Sequence, residues 1–281
     1  MNKNYFRKLW YSLSAKQRFW VRYLYYLPAD LWDRIKGKRN KYVPPRGAIY
    51  TGSAAGAEKF LASSKHQLEL LKSELSLDPN DHVLDIGSGI GRTAISLVEY
   101  LSAQARYEGF DVVKSGVDWC NKKIGRDFRN FNFTYVPLFN DLYNNSKAKA
   151  TDFEFPYKAA EFDKVYCFSV FTHMMVDEIG HYLKEIQRVM KDDGSALSTF
   201  FLYDETDEDQ IATQGFGFPV KGDGFRLMNS KVTSGNIAIH KEKLNQMMAA
   251  AGLEVTRIAD GFWKGAEEAK EYQDIVVFKK K

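Results

Sequence analysis

The stretch "VLDIGSGIGRTA" (83–94) breaks an apolar run with Gly87, Gly89 and Gly91, and Asp85 stands two residues ahead of the first of them. Glycines at alternate positions let a turn close and let a ligand lie against bare backbone. A second acid, Asp111, ends "RYEGFD", 20 residues beyond Gly91. A carboxylate at Asp85 repels a pyrophosphate and suits a ligand that carries a cationic amino group. An acid at the place of Asp111 can accept hydrogen bonds from two ribose hydroxyls. Further along, "SVFTHMM" supplies His173, whose ordinary pKa of about 6.5 suits a proton acceptor near neutrality. Capping or packing at a helix start is the competing role for this histidine.

These residues need elements to position them. Apolar periodicity predicts strands at 82–86, 106–110, 132–136, 163–168 and 195–202, and two last strands at "LEVTRIA" and "YQDIVVFK". Helices are expected at 91–102, 115–127, 177–190 and 240–250, and "GAEKFLASSKHQLELLKSEL" places Phe60, Leu61, Ser64, Leu68, Leu71 and Leu75 on one helical face. Strand–helix alternation implies an α/β fold, a largely parallel sheet with helices on both faces. Ligands of such sheets sit outside the carboxyl ends of the strands, where strand order reverses. Both acids, the glycine loop and His173 fall at those ends. The glycine-rich, polar segment 204–236 reads as an insert, a lid or substrate loop.

A cationic amino-acid moiety, a ribose and no phosphate to hold describe S-adenosylmethionine. A dinucleotide fingerprint would read G-x-G-x-x-G, so the G-x-G-x-G spacing and Asp85 both count against a nicotinamide oxidoreductase. At this point the residues resemble a family. "VLDIGSGIGRTAISL" is similar to the first motif of class I S-adenosylmethionine-dependent methyltransferases, and the similarity continues through "YEGFDVVKSGVDWC", "FDKVYCFSVFTHM", "YLKEIQRVMKDDGSALSTFF" and "YQDIVVFKK". It covers roughly residues 50–281 and lies nearest the type 11/type 12 methyltransferase-domain branch. The resemblance implies a Rossmann-like seven-stranded, mostly parallel sheet with one reversed strand near the C-terminus. It implies that Asp85, Gly87, Ser88 and Gly89, with Gly91 behind them, hold the methionine part of the cofactor. Asp111 would bind the ribose hydroxyls, Val112 would border the adenine and Ser169 would lie beneath the methyl-transfer centre. Pro137 stands where these proteins often carry an acid that reads the adenine amino group, and Asn140, Asp141 or a backbone carbonyl is the expected substitute.

The reaction so implied is an in-line displacement on a methyl carbon, for which the protein aligns the partners and excludes water. An O- or N-nucleophile also needs a base, and His173 is the candidate. Tyr50 is a candidate on the acceptor side, in the flap-like "YTGSAAG", with Tyr135 a weaker one. His66, His82, His181 and His240 are expected to be structural. No metal site is expected; "DETDED" reads as a solvated loop. The acceptor is expected to be a small molecule, a sugar or a lipid head group. The alternative is a catalytically inactive member of the same fold, a binding or membrane-attached scaffold.

At 281 residues with 44% hydrophobic and 27% charged positions, the chain can fill a large core. Its two cysteines, Cys120 and Cys167, make neither a disulfide framework nor a metal spacing. They fit a reducing cytoplasm, and no signal peptide or membrane span is visible. The net charge of +4 conceals an asymmetry: residues 1–46 hold twelve Lys/Arg, two Asp/Glu and eleven aromatics, whereas the rest is net −6. The expected organisation is therefore a basic, aromatic-rich helical arm (1–46) on a methyltransferase domain (47–281). Helices are expected before Pro28, then a short helix capped by Asp30 through Ile35, then "GKRNKYVPPRG" as a linker. The arm has three readings: its aromatic face packs on the domain as a lid, which is the expected one, or it meets a membrane interface, or it binds nucleic acid. No recognisable RNA module supports the last.

Overall fold

The computed structural model describes residues 15–49, 56–138, 146, 148–230 and 235–281. In chain order the described elements begin with helices α1 (Ala15–Ile35) and α2 (Ala57–Leu75). Then follow β1 (His82–Ile86), α3 (Arg92–Tyr100), β2 (Arg106–Asp111), α4 (Lys114–Cys120), β3 (Phe131–Tyr135) and β4 (Phe162–Cys167). Helix α5 (Val176–Val189) leads into β5 (Met190–Phe200) and β6 (Leu202–Tyr203). Helix α6 (Glu208–Thr213) precedes β7 (Val220–Lys221), β8 (Phe225–Leu227) and β9 (Ile237–His240). Helix α7 (Lys241–Ala250), β10 (Leu253–Ala259) and β11 (Asp274–Lys280) close the chain.

Seven strands form one sheet in the order β10-β11-β5-β4-β1-β2-β3. Strand β11 runs antiparallel to both neighbours, and the other pairings are parallel, so one strand of seven is reversed. Strand order reverses beside β1, which has β2 on one side and β4 on the other. Alternation along β1 explains the two-faced core. Leu84 and Ile86 point into the cluster that α5 and α7 cover, with Ile179, Leu183 and Leu244. Val83 points into the opposite cluster, with Phe60, Leu71, Ile95 and Val117 from α2, α3 and α4.

The expected helix at 115–127 forms as α4 and continues through a π-turn at Asn121–Gly125, where the Asn121 amide donates to the Phe133 carbonyl at 2.7 Å. The insert 204–236, expected as a lid or substrate loop, carries α6, β7 and β8, which join β6 and β9 on either side of it. Strands β6 to β9 make a second sheet in the order β6-β9-β8-β7, packed on a cluster of Phe201, Tyr203, Ile211, Phe218 and Trp263. Aromatic and β-branched residues, thinly spread between its glycines, supplied a core that its polar composition concealed.

The N-terminal region departs from expectation in three ways. Helix α1 runs unbroken through Pro28. An interior proline costs a helix about 3 kcal/mol, so contacts outside the helix must hold it together here. Asp30 caps nothing: it is buried, pairs with the Arg39 guanidinium and accepts from the Arg46 backbone N–H at 3.0 Å, while Arg46 also pairs with Asp33. The segment read as a linker is thereby packed, with Val43 buried and the Tyr42 carbonyl accepting from the Trp119 indole. Finally, the aromatic face of α1 is not a packed lid, since Trp20, Tyr25 and Trp32 are exposed.

Candidate active site

The cavity at the switch point has a volume of about 980 Å³. Its floor is the glycine loop. The N–H groups of Gly87 and Ser88 both donate to the Phe110 carbonyl, at 2.9 and 3.0 Å, which folds the loop across the end of β2. Gly87, Gly89 and Gly91 all have positive φ, a region that L side chains avoid. A Cβ on Gly87 would also meet the Val170 side chain at 2.4 Å. Gly91 lies behind the loop against Cys120 and Ile124, at the start of α3, and does not line the cavity.

Asp85, Gly87, Ser88, Gly89, Asp111, Val112, Ser169 and His173 all line this cavity. Asp85 is 3% exposed and accepts a 2.7 Å hydrogen bond from the Tyr107 hydroxyl. Burial pushes its carboxyl up to about 7, against the Tyr107 bond, which favours the ionised form. Asp111 accepts from the backbone N–H of Gly89 at 2.8 Å and of Val113 at 2.7 Å. It thus ties the glycine loop to β2, and burial pushes it up to about 6. One polar atom on the floor, Ser88 Oγ, is buried with no hydrogen-bond partner among the described residues.

Two residues beyond the end of β4 stands Ser169, a non-glycine residue at φ +58. Backbone in this region costs roughly 1–3 kcal/mol and persists where surroundings enforce it. Here the Ser169 N–H donates to Thr199 Oγ1 at 2.8 Å, and its hydroxyl donates to Gln273 Oε1 at 2.9 Å. Thr199 donates to the same oxygen at 2.6 Å, so β4, β5 and β11 are locked together at the cavity wall. His173 follows in a 3-10 turn, Phe171–His173.

The far wall was not anticipated. His66 lines the cavity instead of lying away from it, 3.4 Å from Glu271 Oε2. Gln67 is buried beside it and accepts from Thr93 Oγ1 at 2.7 Å and Arg92 Nε at 3.3 Å. Burial pulls the Arg92 guanidinium down from its ordinary range, with Glu271 and Asp85 acting against it. Tyr272, Phe201 and Phe216 complete an aromatic side. One signal was present: Gln67 interrupts the buried face of α2 between Ser64 and Leu71, where an apolar residue is expected.

The other histidines hold structural positions. The His82 N–H bonds Asp163, His181 bonds the Phe153 carbonyl and His240 caps α7. Glu205, His240 and Glu242 approach within 4.8 Å of one another, at the surface of the second sheet. Burial pushes the Cys167 thiol up to about 12, as befits a packing residue. Tyr135 does not line the cavity. Tyr50, Asn140 and Asp141 lie outside the described residues.

A strand–glycine loop–helix turn with two buried acids, at the reversal of a sheet that has one antiparallel strand, defines a nucleoside-binding α/β enzyme. A family model of the methyltransferase domain matches residues 59–258, and the chain belongs to that family, as a class I S-adenosylmethionine-dependent methyltransferase. Solved structures share the fold. A protein from Pyrococcus horikoshii OT3 has a TM-score of 0.53 at 13% identity, over 80% of this chain and 92% of its own. The geranyl diphosphate C-methyltransferase of Streptomyces coelicolor A3(2) has a TM-score of 0.52 at 13% identity, over 79% and 82%. The O-methyltransferase from a trans-AT PKS multienzyme of Brevibacillus brevis has a TM-score of 0.53 at 13% identity, over 79% and 73%.

Proposed function

We propose that this chain methylates an O- or N-nucleophile of a small-molecule, sugar or lipid acceptor, with His173 taking the proton. The observation that carries the reading is one cavity of about 980 Å³ that holds the acidic cradle and His173 together, with room beside the cradle. S-adenosylmethionine, when bound, supplies a methyl group on a good leaving group. The cradle fits it. Asp85 would face its ammonium group and Asp111 the ribose hydroxyls, for which its remaining lone pairs are available. Bare backbone at Gly87 and Gly89 admits close approach. Val112 would border the adenine, with Asn140 the candidate for its amino group.

The aromatic side at Phe201, Phe216 and Tyr272 then seats the acceptor and excludes water. His173 holds the proton that leaves the nucleophile as the new bond forms. The neighbour named as a geranyl diphosphate C-methyltransferase supports an acceptor of small-molecule size.

Calorimetric titration of S-adenosylhomocysteine tests the cradle. Wild type binds, Asp85→Ala and Asp111→Ala lose about tenfold or more, the order of a lost charged hydrogen bond, and NADH does not bind. His173→Ala keeps cofactor affinity and loses about 10²-fold or more in turnover. Unchanged turnover in His173→Ala would remove it as the base.

A further inference from the structure

We propose that the outward face of α1 is a docking surface for an anionic lipid bilayer. The proposal is independent of the acceptor reading, because it uses no residue of the cavity.

Trp20, Val21, Leu24, Tyr25, Leu31, Trp32 and Ile35 are all exposed, Tyr25 at 76% and Ile35 at 79%. At 3.6 residues per turn they fall, with Pro28, inside an arc of about 140°. The opposite side of the same helix faces the body. Asp30 and Asp33 are buried there, Arg22 donates to the Ile49 carbonyl at 2.9 Å, and Gly47 approaches so closely that a Cβ would lie 2.6 Å from the Tyr23 Cα. The helix is thus packed by its polar side and presents its apolar side outward, the reverse of an ordinary surface helix. A contiguous exposed stripe of this size marks an interaction surface.

Its chemistry selects the partner. Tryptophan and tyrosine among aliphatic residues are the composition of the membrane–water boundary. Exposed Arg34, Lys36 and Lys38 follow at the C-terminal end, with the Lys36 ammonium 4.6 Å from the Trp32 ring centre. Both acids of the region are turned inward, so nothing negative accompanies the stripe outward. The twelve Lys/Arg against two Asp/Glu of residues 1–46 complement a negatively charged leaflet. A second copy would instead bring two segments of the same strong positive charge together. Among the described residues no helix is long and apolar enough to cross a membrane, so α1 would lie in the interface plane.

The test is flotation of the full chain with phosphatidylcholine vesicles, with and without phosphatidylglycerol. The chain floats with the anionic vesicles, and added salt weakens binding. Leu24→Glu, Trp32→Glu and Ile35→Glu combined cut the bound fraction about tenfold or more, while the melting temperature holds because all three sites are exposed. Failure of the wild type to float overturns the proposal, as does equal flotation of the triple variant or equal binding to neutral vesicles. A dimer in solution that the triple variant turns into a monomer also overturns it and assigns the face to a second copy.

Discussion

Against the cost of burial, the Tyr107 and Tyr166 hydroxyls both favour the ionised form of the cradle's first acid. Tyr107 is fully buried, its ring is stacked on Phe131 at 4.7 Å, and its hydrogen bond favours the ionised form of Asp85 against the cost of burial. Tyr107→Phe removes that bond and the hydroxyl's interaction with Tyr166, while the ring keeps its packing. The Asp85 carboxyl then rises above about 7. Affinity for S-adenosylhomocysteine at neutral pH falls about three- to tenfold, the order of one hydrogen bond to a charged group. The deficit shrinks at alkaline pH, where Asp85 is ionised either way. Calorimetry across pH checks this, and a deficit independent of pH would mean that the hydroxyl shapes the cavity rather than tuning the acid.

Among the elements, β11 joins the two sheets through one side chain. Asp274 is fully buried and accepts from Leu202 N–H at 2.6 Å, Gly261 N–H at 2.8 Å and the Trp263 indole at 2.8 Å, with the Lys264 ammonium 3.7 Å away. Asp274→Ala strands three buried donors, while Lys264 keeps Asp260 at 2.7 Å, and we expect a loss of about 3 kcal/mol or more, read as a fall in the urea unfolding midpoint. This bond set also shows where sequence reading ends. Strands β1, β2, β4 and β10 and helix α5 were legible because their apolar residues recur with the period of the element that forms. The glycine loop and both acids were legible as neighbours because alternate glycines mark a turn after β1 and each acid lies near the end of its strand. The far wall was not: His66 comes from α2 and Glu271 from the run before β11, 205 positions apart in the chain. Their meeting is set by sheet order, which no local pattern carries. Helix α1 misled for a related reason: its periodicity identified the apolar face but not which way that face turns, and the Asp30–Arg39 and Asp33–Arg46 pairs settled that.

For the molecule as a whole, the two acids couple folding to pH and, on the proposed reading of the cradle, to the cofactor. An unfolded aspartate titrates near 3.8, whereas burial raises Asp85 to about 7 and Asp111 to about 6 in the folded, ligand-free chain. The folded state therefore binds more protons than the unfolded state between those values, and stability attributable to these residues falls as pH rises through that window. Below about 4 both states are protonated and the effect vanishes. Asp85→Asn keeps the shape and an acceptor for Tyr107 but cannot ionise. The stability of the ligand-free wild type, measured relative to Asp85→Asn, should therefore decline as pH rises from about 4 to about 7. A ligand that presents an ammonium group to Asp85 lowers its pKa and returns the lost stability. The rise in melting temperature on adding S-adenosylhomocysteine should accordingly grow across the same window in the wild type and stay nearly flat in Asp85→Asn. A flat response in both proteins would mean that Asp85 does not face the ammonium group, and the cradle would have to be rebuilt around Asp111 and Arg92.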